Sequence, residues 1–484
     1  MTIIYEKSLK LNMVLNAIKG LVSIAFPLIS FPYVSKVLGI DNIGKYYFLD
    51  AIISYFLLVA GLGIASYAIR EGAKIRNDNI AINRFASEVF TINLTSALLT
   101  FTCLIFLIFT LPKFVENKNL LLLLSLQILF KTIGIEWIFS IFEDYVYTTI
   151  RSIAFQMFSL LLIFLLVKNS SDLPLYTFIT AATVGGANIL NYLHARKHCK
   201  IRIVNKINWR AHLRPILLLF ATAITVTIYV SSDMVILGFI TGNKSVGLYS
   251  VSVKIYGIVK AILSSVLIVS IPRLSSLIGQ QKKNEFISTA NSIYKTLITL
   301  VLPAITGIIL LRKQIVLIIS DSAFIAASTS LALLCVALLF CMGAWFWGQC
   351  VLIPLNLESV VFKATIISAI VNLVLNFFLI PFWAQDAAAF TTIVSECIAF
   401  LWCAHEGKKY VVLEGLWKTI LKVVLGCVSI VLVVVVMNMF GMNLYLYLFT
   451  VVIVSCFFYF AVEVILKNET ITSVKFRRML HRNK

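Results

Sequence analysis

Long apolar stretches alternate along the chain with short polar segments. A helix needs about 20 mostly apolar residues to cross the hydrocarbon core of a bilayer, and this pattern provides fourteen such stretches. The predicted spans are 13–36, 46–66, 86–111, 119–141, 149–167, 174–193, 215–240, 247–271, 293–311, 323–346, 359–380, 387–404, 418–440 and 443–466. The pattern predicts an all-α polytopic membrane protein with about 14 transmembrane helices.

Composition excludes the main soluble classes. Of 484 residues, 60% are apolar and 13% are charged, whereas an ordinary soluble domain is about 45–50% apolar and about 25% charged. A soluble multidomain enzyme and a disordered chain are therefore excluded. The nine cysteines lie mostly in apolar stretches and show no disulfide or metal-ligand spacing.

Positive charge predicts the orientation in the membrane. There are 41 Lys and Arg residues against 21 Asp and Glu. With the N-terminus inside, 29 of the 41 fall in or beside inner segments and 8 in or beside outer ones. This bias places both termini in the cytoplasm and explains the net charge without nucleic acid as a partner. The first span is expected to direct insertion, because residues 1–12 are polar and the next apolar stretch is too long for a cleavable signal.

A short motif occurs twice in the same orientation. It reads Ile43-Gly44-Lys45-Tyr46 and then Val246-Gly247-Leu248-Tyr249, and in each copy an Arg follows the Gly by 26 residues. Parallel repeats predict two six-helix lobes around a central cavity, the geometry of alternating access. The expected domains are an N-lobe (1–193), a basic cytoplasmic linker (194–214), a C-lobe (215–404), two further spans (405–466) and a basic cytoplasmic tail (467–484).

Charged side chains inside predicted spans are the strongest functional candidates, because each is costly in hydrocarbon unless it is paired or hydrated. The cations are Lys19, Lys131, Lys254 and Lys260. Each either extends its ammonium to the headgroups or lines a cavity. The carboxylates considered for coupling or for countering cavity charge are Asp50, Glu136, Asp233 and Glu396, with Glu463 as a further buried acid. They either hold helices in register or carry a coupling ion.

Uncharged polar and aromatic residues leave two interpretations open. Asn372 and Asn376 share one helix face and either bind a sugar hydroxyl or join two helices. Four tryptophans either stack on sugar rings or belong to the interfacial belt, and the belt is expected for most: Trp137, Trp345, Trp347 and Trp383.

Several kinds of site are not expected. All five histidines fall in predicted inner loops or the tail, so the sequence predicts neither an intramembrane histidine relay nor a histidine metal site. No Gly-rich phosphate loop is present. No large outer domain is available for a ligase or glycosyltransferase. The chain is expected not to be an enzyme, to have no catalytic residues and to need no cofactor beyond a possible coupling ion, H⁺ or Na⁺.

Five groups of motifs follow one another across roughly residues 10–400. They are Phe31-Pro32-Tyr33 to Tyr46; Gly61-Leu62-Gly63 to Glu71; Gly134-Ile135-Glu136-Trp137 with Glu143 and Arg151; Ser232-Asp233 to Tyr249; and Gly348-Gln349, Ile353-Pro354, Asn372, Asn376, Ile380-Pro381, Ala387-Ala388 and Glu396. In order and spacing they resemble the Wzx-like polysaccharide-export flippases of bacterial inner membranes. This is the O-antigen and capsule branch of the multidrug/oligosaccharidyl-lipid/polysaccharide superfamily. Asp386 departs from the pattern, which often has Gly before the alanine pair.

The resemblance implies a fourteen-helix protein of the bacterial inner membrane that exports an undecaprenyl-diphosphate-linked oligosaccharide to the outer leaflet. It also implies cationic cavity side chains that hold the diphosphate-sugar headgroup, a role carried over here to the four lysines. Expected partners are the lipid-linked substrate, membrane lipids, and the polymerase and chain-length proteins of the pathway.

The sequence also leaves other functions open. A multidrug antiporter of the related extrusion family would favour acidic groups in the N-lobe cavity, where the first span offers Lys19. A lipid II flippase would share the chemistry with a different sugar. A membrane-embedded polymerase or ligase would need catalytic outer loops, and these loops are short. A purely structural scaffold would not need charges within its spans.

Overall fold

Helices account for nearly all of residues 9–472, the part of the chain that the computed structural model describes. No strand occurs among those residues. The α-helices are α1 (Leu9–Gly61), α2 (Ile64–Ile75), α3 (Asn79–Thr110), α4 (Pro112–Val115), α5 (Lys118–Ile133), α6 (Trp137–Ile141), α7 (Tyr145–Leu166), α8 (Leu173–Ala195), α9 (Trp209–Ile240), α10 (Asn243–Gly279), α11 (Lys283–Ile319), α12 (Ala327–Trp345), α13 (Glu358–Gly407), α14 (Leu416–Asn438), α15 (Leu444–Ile465) and α16 (Glu469–Thr472). The predicted basic tail lies outside the described residues from position 473 onward.

Two of these helices are too long for one membrane crossing. α1 has 53 residues and α13 has 50, which at about 1.5 Å per residue is more than twice the roughly 30 Å of hydrocarbon. Each contains one residue with non-helical backbone angles, Gly39 (φ 77°) and Ala384 (φ 45°). Both residues lie in predicted outer loops, so each helix consists of two spans joined by a sharp turn. With α9 counted as one span bent by 57°, the described residues contain the fourteen predicted spans.

The chain divides into two compact units, with the boundary after Gly247. In the first unit, α1 packs against α3, α7 and α9, and α5 packs against α8. One buried cluster of this unit contains Tyr67, Trp137, Ile141 and Cys199. In the second unit, α12 packs against α13, and α11 packs against α14 and α15. The lobe boundaries predicted from the sequence stay a prediction.

The linker between α8 and α9 lies along α3. The backbone N–H groups of Lys200, Arg202 and Val204 donate to side-chain oxygens of Asn83 (2.7 Å), Ser87 (3.1 Å) and Thr91 (3.1 Å), respectively. Four residues of helix advance about 6 Å, and two residues of extended chain advance about 6.6 Å. These two distances are similar, so the N–H groups of every second linker residue (200, 202 and 204) each reach an acceptor on one face of α3.

The two motif glycines meet inside the first unit. A Cβ on Gly44 would collide with the carbonyl of Asn243 and lie 2.8 Å from the backbone nitrogen of Gly247. A Cβ on Gly247 would collide with the carbonyl of Ile40. Both copies of the repeat therefore need glycine because two backbones cross there without room for a side chain.

Candidate functional site

The fourth predicted span is broken rather than continuous. α5 ends at Ile133 and α6 begins at Trp137. Between them, Ile135 has a φ of 37°, and a Cβ on Gly134 would collide with the side chain of Asn188 on α8. Non-helical backbone at membrane depth is tolerated only where it is buried in protein or lines a water-filled space. The break places Glu136 at the start of α6.

Glu136 binds two cations from distant parts of the first unit. Its Oε1 lies 3.2 Å from Nζ of Lys19 and 3.2 Å from a terminal nitrogen of Arg151. Arg151, on α7, also donates to the carbonyl of Ala187 at 3.3 Å. The side chain of Arg151 is buried, whereas that of Glu136 is 53% exposed. Because these charges lie on predicted spans, an exposed carboxylate there indicates contact with water rather than lipid.

Lys131 and Asp50 complete this charged group, which we name the Glu136 cluster (Lys19, Asp50, Lys131, Glu136 and Arg151). Lys131 lies in the last turn of α5 and has Asp50 and Glu136 as its electrostatic neighbours. The structure thus brings together four of the eight residues that the sequence suggested. Three cations face two carboxylates, so the cluster is positive overall.

Arg151 was not among the predicted site residues. The sequence places it at the inner end of a span, where it counted only toward the topology. A signal was present, because Arg151 belongs to the same motif group as Gly134 and Glu136. Hydrophobic periodicity cannot predict that Arg151 contacts Glu136, because the two residues lie on different helices and the contact depends on how those helices pack.

Of the other four predicted residues, Asp233 belongs to the first unit, and Lys254, Lys260 and Glu396 belong to the second. Asp233 on α9 is buried, and Tyr55 is one of its electrostatic neighbours. In the second unit, Lys260 lies 5.6 Å from the ring of Tyr256 and has Glu396 as an electrostatic neighbour. Lys254 is partly buried on the same helix as Lys260. The second unit therefore contains a Lys–Glu pair, Lys260 and Glu396.

Asn372 and Asn376 join helix segments. The amide of Asn376 donates to Oδ1 of Asn372 at 3.1 Å, and the hydroxyl of Thr391 donates to Oδ1 of Asn376 at 2.6 Å. All three side chains are buried. This network ties the two halves of α13 across the turn at Ala384, so of the two interpretations the structure favours helix joining.

The tryptophans divide between core and surface. Trp137 and Trp347 are buried, so the expectation of a membrane belt is wrong for these two. Trp347 lies in a π-helix, Phe346–Leu352, against Gly407, where a Cβ would meet its ring. Trp383 is exposed beside the turn at Ala384, which agrees with an interfacial position. Asp386 follows this turn and accepts a hydrogen bond from the hydroxyl of Ser330 at 2.6 Å.

Comparison with known proteins identifies the family. The model of the family described as polysaccharide biosynthesis protein matches residues 9–278, more than half of the chain. The chain belongs to this family. It is 23% identical to the putative O-antigen transporter of Escherichia coli strain K12 over 397 residues, which is 81% of this chain and 94% of that protein. The family expected from the sequence motifs is confirmed.

Solved structures confirm the fold. The lipid II flippase MurJ in an inward closed conformation has a TM-score of 0.77 at 17% identity, covering 95% of this chain and 100% of that one. An inward-facing multidrug resistance MATE family transporter of the MOP superfamily has a TM-score of 0.58 at 15% identity, covering 84% and 99%. The chain is a multi-pass membrane protein with the fold of these transporters.

Proposed function

We propose that this protein is a flippase that carries an undecaprenyl-diphosphate-linked oligosaccharide from the cytoplasmic to the periplasmic leaflet of the inner membrane by alternating access. The observation that carries the proposal is the Glu136 cluster, a net positive group beside a broken span. The family and the putative O-antigen transporter among its relatives support the same substrate class.

The charge of the substrate explains why cations are needed. A diphosphate diester carries about two negative charges, and moving it out of water without partners is prohibitive. Lys19 and Arg151 already share one carboxylate oxygen. An arriving phosphate would compete with Glu136 for these cations, so binding exchanges one ion pair for another instead of desolvating free charges.

Arg151 is the cation best suited to the phosphate. Its guanidinium offers five donors in a planar fork that matches phosphate oxygens. Its Nε is buried and has no hydrogen-bond partner among the described residues. A phosphate oxygen that reached this nitrogen would satisfy it, whereas Lys19 and Lys131 would act as point charges.

Broken spans supply a second physical argument. Transporters commonly bind substrate where discontinuous helices expose backbone groups to a cavity. The break at 134–136 includes Glu136, whose carboxylate holds Lys19 and Arg151. We propose Lys254 and Lys260 as further headgroup contacts within the second unit.

The membrane potential would favour export. With the cytoplasm negative, each negative charge that moves outward gains about 2.3 kcal/mol per 100 mV. Glu136 is our proposed carrier of a coupling proton, because its protonation would release Lys19 and Arg151 for the substrate. Asp50, Asp233 and Glu396 are the alternative carriers or counter-charges.

Two rival substrates are separated by chemistry. The fold shared with the lipid II flippase is compatible with a lipid-linked muropeptide, and the diphosphate argument applies to it equally. A cationic drug is less compatible, because cations outnumber carboxylates in the Glu136 cluster.

Both termini and the linker are placed in the cytoplasm in this proposal, and the polymerase and chain-length proteins are its proposed partners.

The test uses a strain that lacks the gene and carries plasmid-borne variants. Arg151→Ala and Lys19→Ala should abolish or strongly reduce surface polysaccharide while the protein remains in the membrane at wild-type level by immunoblot. Lys118→Ala is the matched control, since Lys118 is an exposed lysine of the same unit. Wild-type polysaccharide in both test variants would remove the Glu136 cluster from the binding site.

A further inference from the structure

A second polar cluster lies in the first unit, and Tyr147 is an electrostatic neighbour both of it and of Arg151 in the Glu136 cluster. It consists of Asp144, between α6 and α7, and of His194 and His198, at and just beyond the end of α8. Nε2 of His194 lies 3.2 Å from Oδ2 of Asp144, and Nε2 of His198 lies 3.1 Å from the same oxygen. Asp144 is buried and the two histidines are partly buried. We name these three residues the His–Asp cluster.

The donor set and its spacing fit a transition metal. The three ligand atoms lie within 4.8 Å of one another. Around a tetrahedral Zn²⁺, with ligand bonds of about 2.0–2.2 Å, neighbouring ligand atoms are separated by roughly 3.3–3.6 Å. The two measured N–O separations are close to that value, so a small outward shift of each side chain would accommodate the ion. Two imidazoles and one carboxylate are ligands that zinc prefers.

Aromatic rings fix the orientation of both imidazoles. The ring of His194 stacks on Tyr147 with centroids 3.7 Å apart and planes 5° apart. The ring of His198 stacks on Phe142 at 4.8 Å and 19°. Both Nε2 atoms therefore point toward one carboxylate oxygen without needing a metal to organise them. Preorganised ligands of this kind lower the cost of binding an ion.

We propose that the His–Asp cluster binds one Zn²⁺ ion per chain and thereby ties the segment before α7 to the end of α8. Three protein ligands leave a fourth position for water or an anion. Both segments belong to predicted cytoplasmic loops, so the site would face the inner side. This proposal is independent of the transported substrate, and it differs from the expectation that the chain holds no histidine metal site. That expectation rested on the placement of all five histidines in predicted inner loops or the tail, and it did not consider Asp144, which is 50 residues from His194 in the sequence.

The test measures metal binding by the full chain, purified in detergent through an affinity tag that contains no histidine. After chelation and addition of ZnCl₂, elemental analysis should find about one zinc per chain. His194→Asn, His198→Asn and Asp144→Asn should each weaken binding at least about tenfold. His405→Asn is the matched control, because His405 is exposed at the end of α13 and should bind like wild type. Equal affinity in the wild type and the three variants, or no zinc on the wild type, would overturn the proposal.

Cobalt provides a readout that does not depend on variants folding. Co²⁺ added to the chelated wild type should give visible absorption of a four-coordinate site, and Zn²⁺ should displace it. X-ray absorption of the zinc form should show nitrogen and oxygen neighbours with imidazole scattering. A six-coordinate spectrum of hydrated Co²⁺ would show that the three residues form only a hydrogen-bonded trio.

Discussion

Lys19 and Glu136 form an ion pair with 3.2 Å between Nζ and Oε1, although 117 residues separate them in sequence. Arg151 also contacts this oxygen, with 3.2 Å between a terminal nitrogen and Oε1. One carboxylate therefore holds two cations from α1 and α7. This relationship joins the first span, the broken fourth span and the fifth span, and most of the predictions on transport depend on it.

Neutralising Glu136 should affect both stability and coupling. In Glu136→Gln, the buried Arg151 guanidinium loses its carboxylate. The destabilisation should be smaller than the about 3–5 kcal/mol expected for a fully buried pair, because Glu136 is half exposed. We expect a lower Tm of the purified protein and a flipping rate that no longer depends on the pH gradient. Glu116→Gln, at an exposed acid of the same unit, should leave both unchanged. A variant rate that keeps the wild-type pH dependence would exclude Glu136 as the proton carrier.

The lysines should act by charge. Lys131→Ala and Lys260→Ala should impair export at unchanged protein levels, and Lys→Arg at either position should be milder. The reason is that the diphosphate needs compensating charge more than a particular geometry at these positions. Surface polysaccharide in the complemented deletion strain measures the effect. If Lys→Arg reduces export as much as Lys→Ala, the lysine contributes through its hydrogen-bond geometry rather than through its charge.

The linker should detach when its acceptors on α3 are removed. Ser87→Ala and Thr91→Val leave the N–H groups of Arg202 and Val204 without their partners, at about 1–3 kcal/mol for each group that stays buried. Trypsin added to inside-out vesicles should then cut the linker faster than in wild type. Thr95→Val is the control one turn further along α3, since Thr95 bonds only to the carbonyl of Thr91 in the described contacts. Cleavage at the wild-type rate in the double variant would show that other contacts hold the linker.

Cysteine labelling tests the orientation of the linker. Burial raises the pKa of the Cys199 thiol to about 12, so below about pH 9 almost no reactive thiolate is present. Cys199 should resist maleimide in the folded protein and react after denaturation. Lys200→Cys puts an exposed thiol at the next position, and a membrane-impermeant maleimide should label it in inside-out vesicles and not in intact spheroplasts. Labelling from the outside would reverse the predicted topology.

The hydrophobic pattern was sufficient to predict the spans. The turns at Gly39 and Ala384 fall between predicted spans, because short polar or glycine-containing breaks separate apolar stretches there. The repeated Gly44 and Gly247 marked a real feature, namely two backbones in contact. The break at 134–136 was not predicted, since the apolar stretch continues through it and only backbone geometry reveals it.

The sites were harder to predict because they depend on distant partners. Lys19 and Glu136 were each identified as costly charges, but nothing in a single sequence pairs them. Arg151 was attributed to topology because it lies near a span end. Asp144 and the two histidines were missed for a similar reason: a loop and a helix end 50 residues apart show no ligand spacing in the sequence.

The most direct test of the central claim is lipid mass spectrometry on cells with and without this gene, with leaflet position measured in sealed vesicles. We predict that undecaprenyl-diphosphate-oligosaccharide accumulates in the inner leaflet when the protein is lost, and that wild-type protein but not Arg151→Ala clears it. The mass would identify the sugar. An unchanged lipid profile together with increased sensitivity to cationic drugs would contradict the account and favour an antiporter.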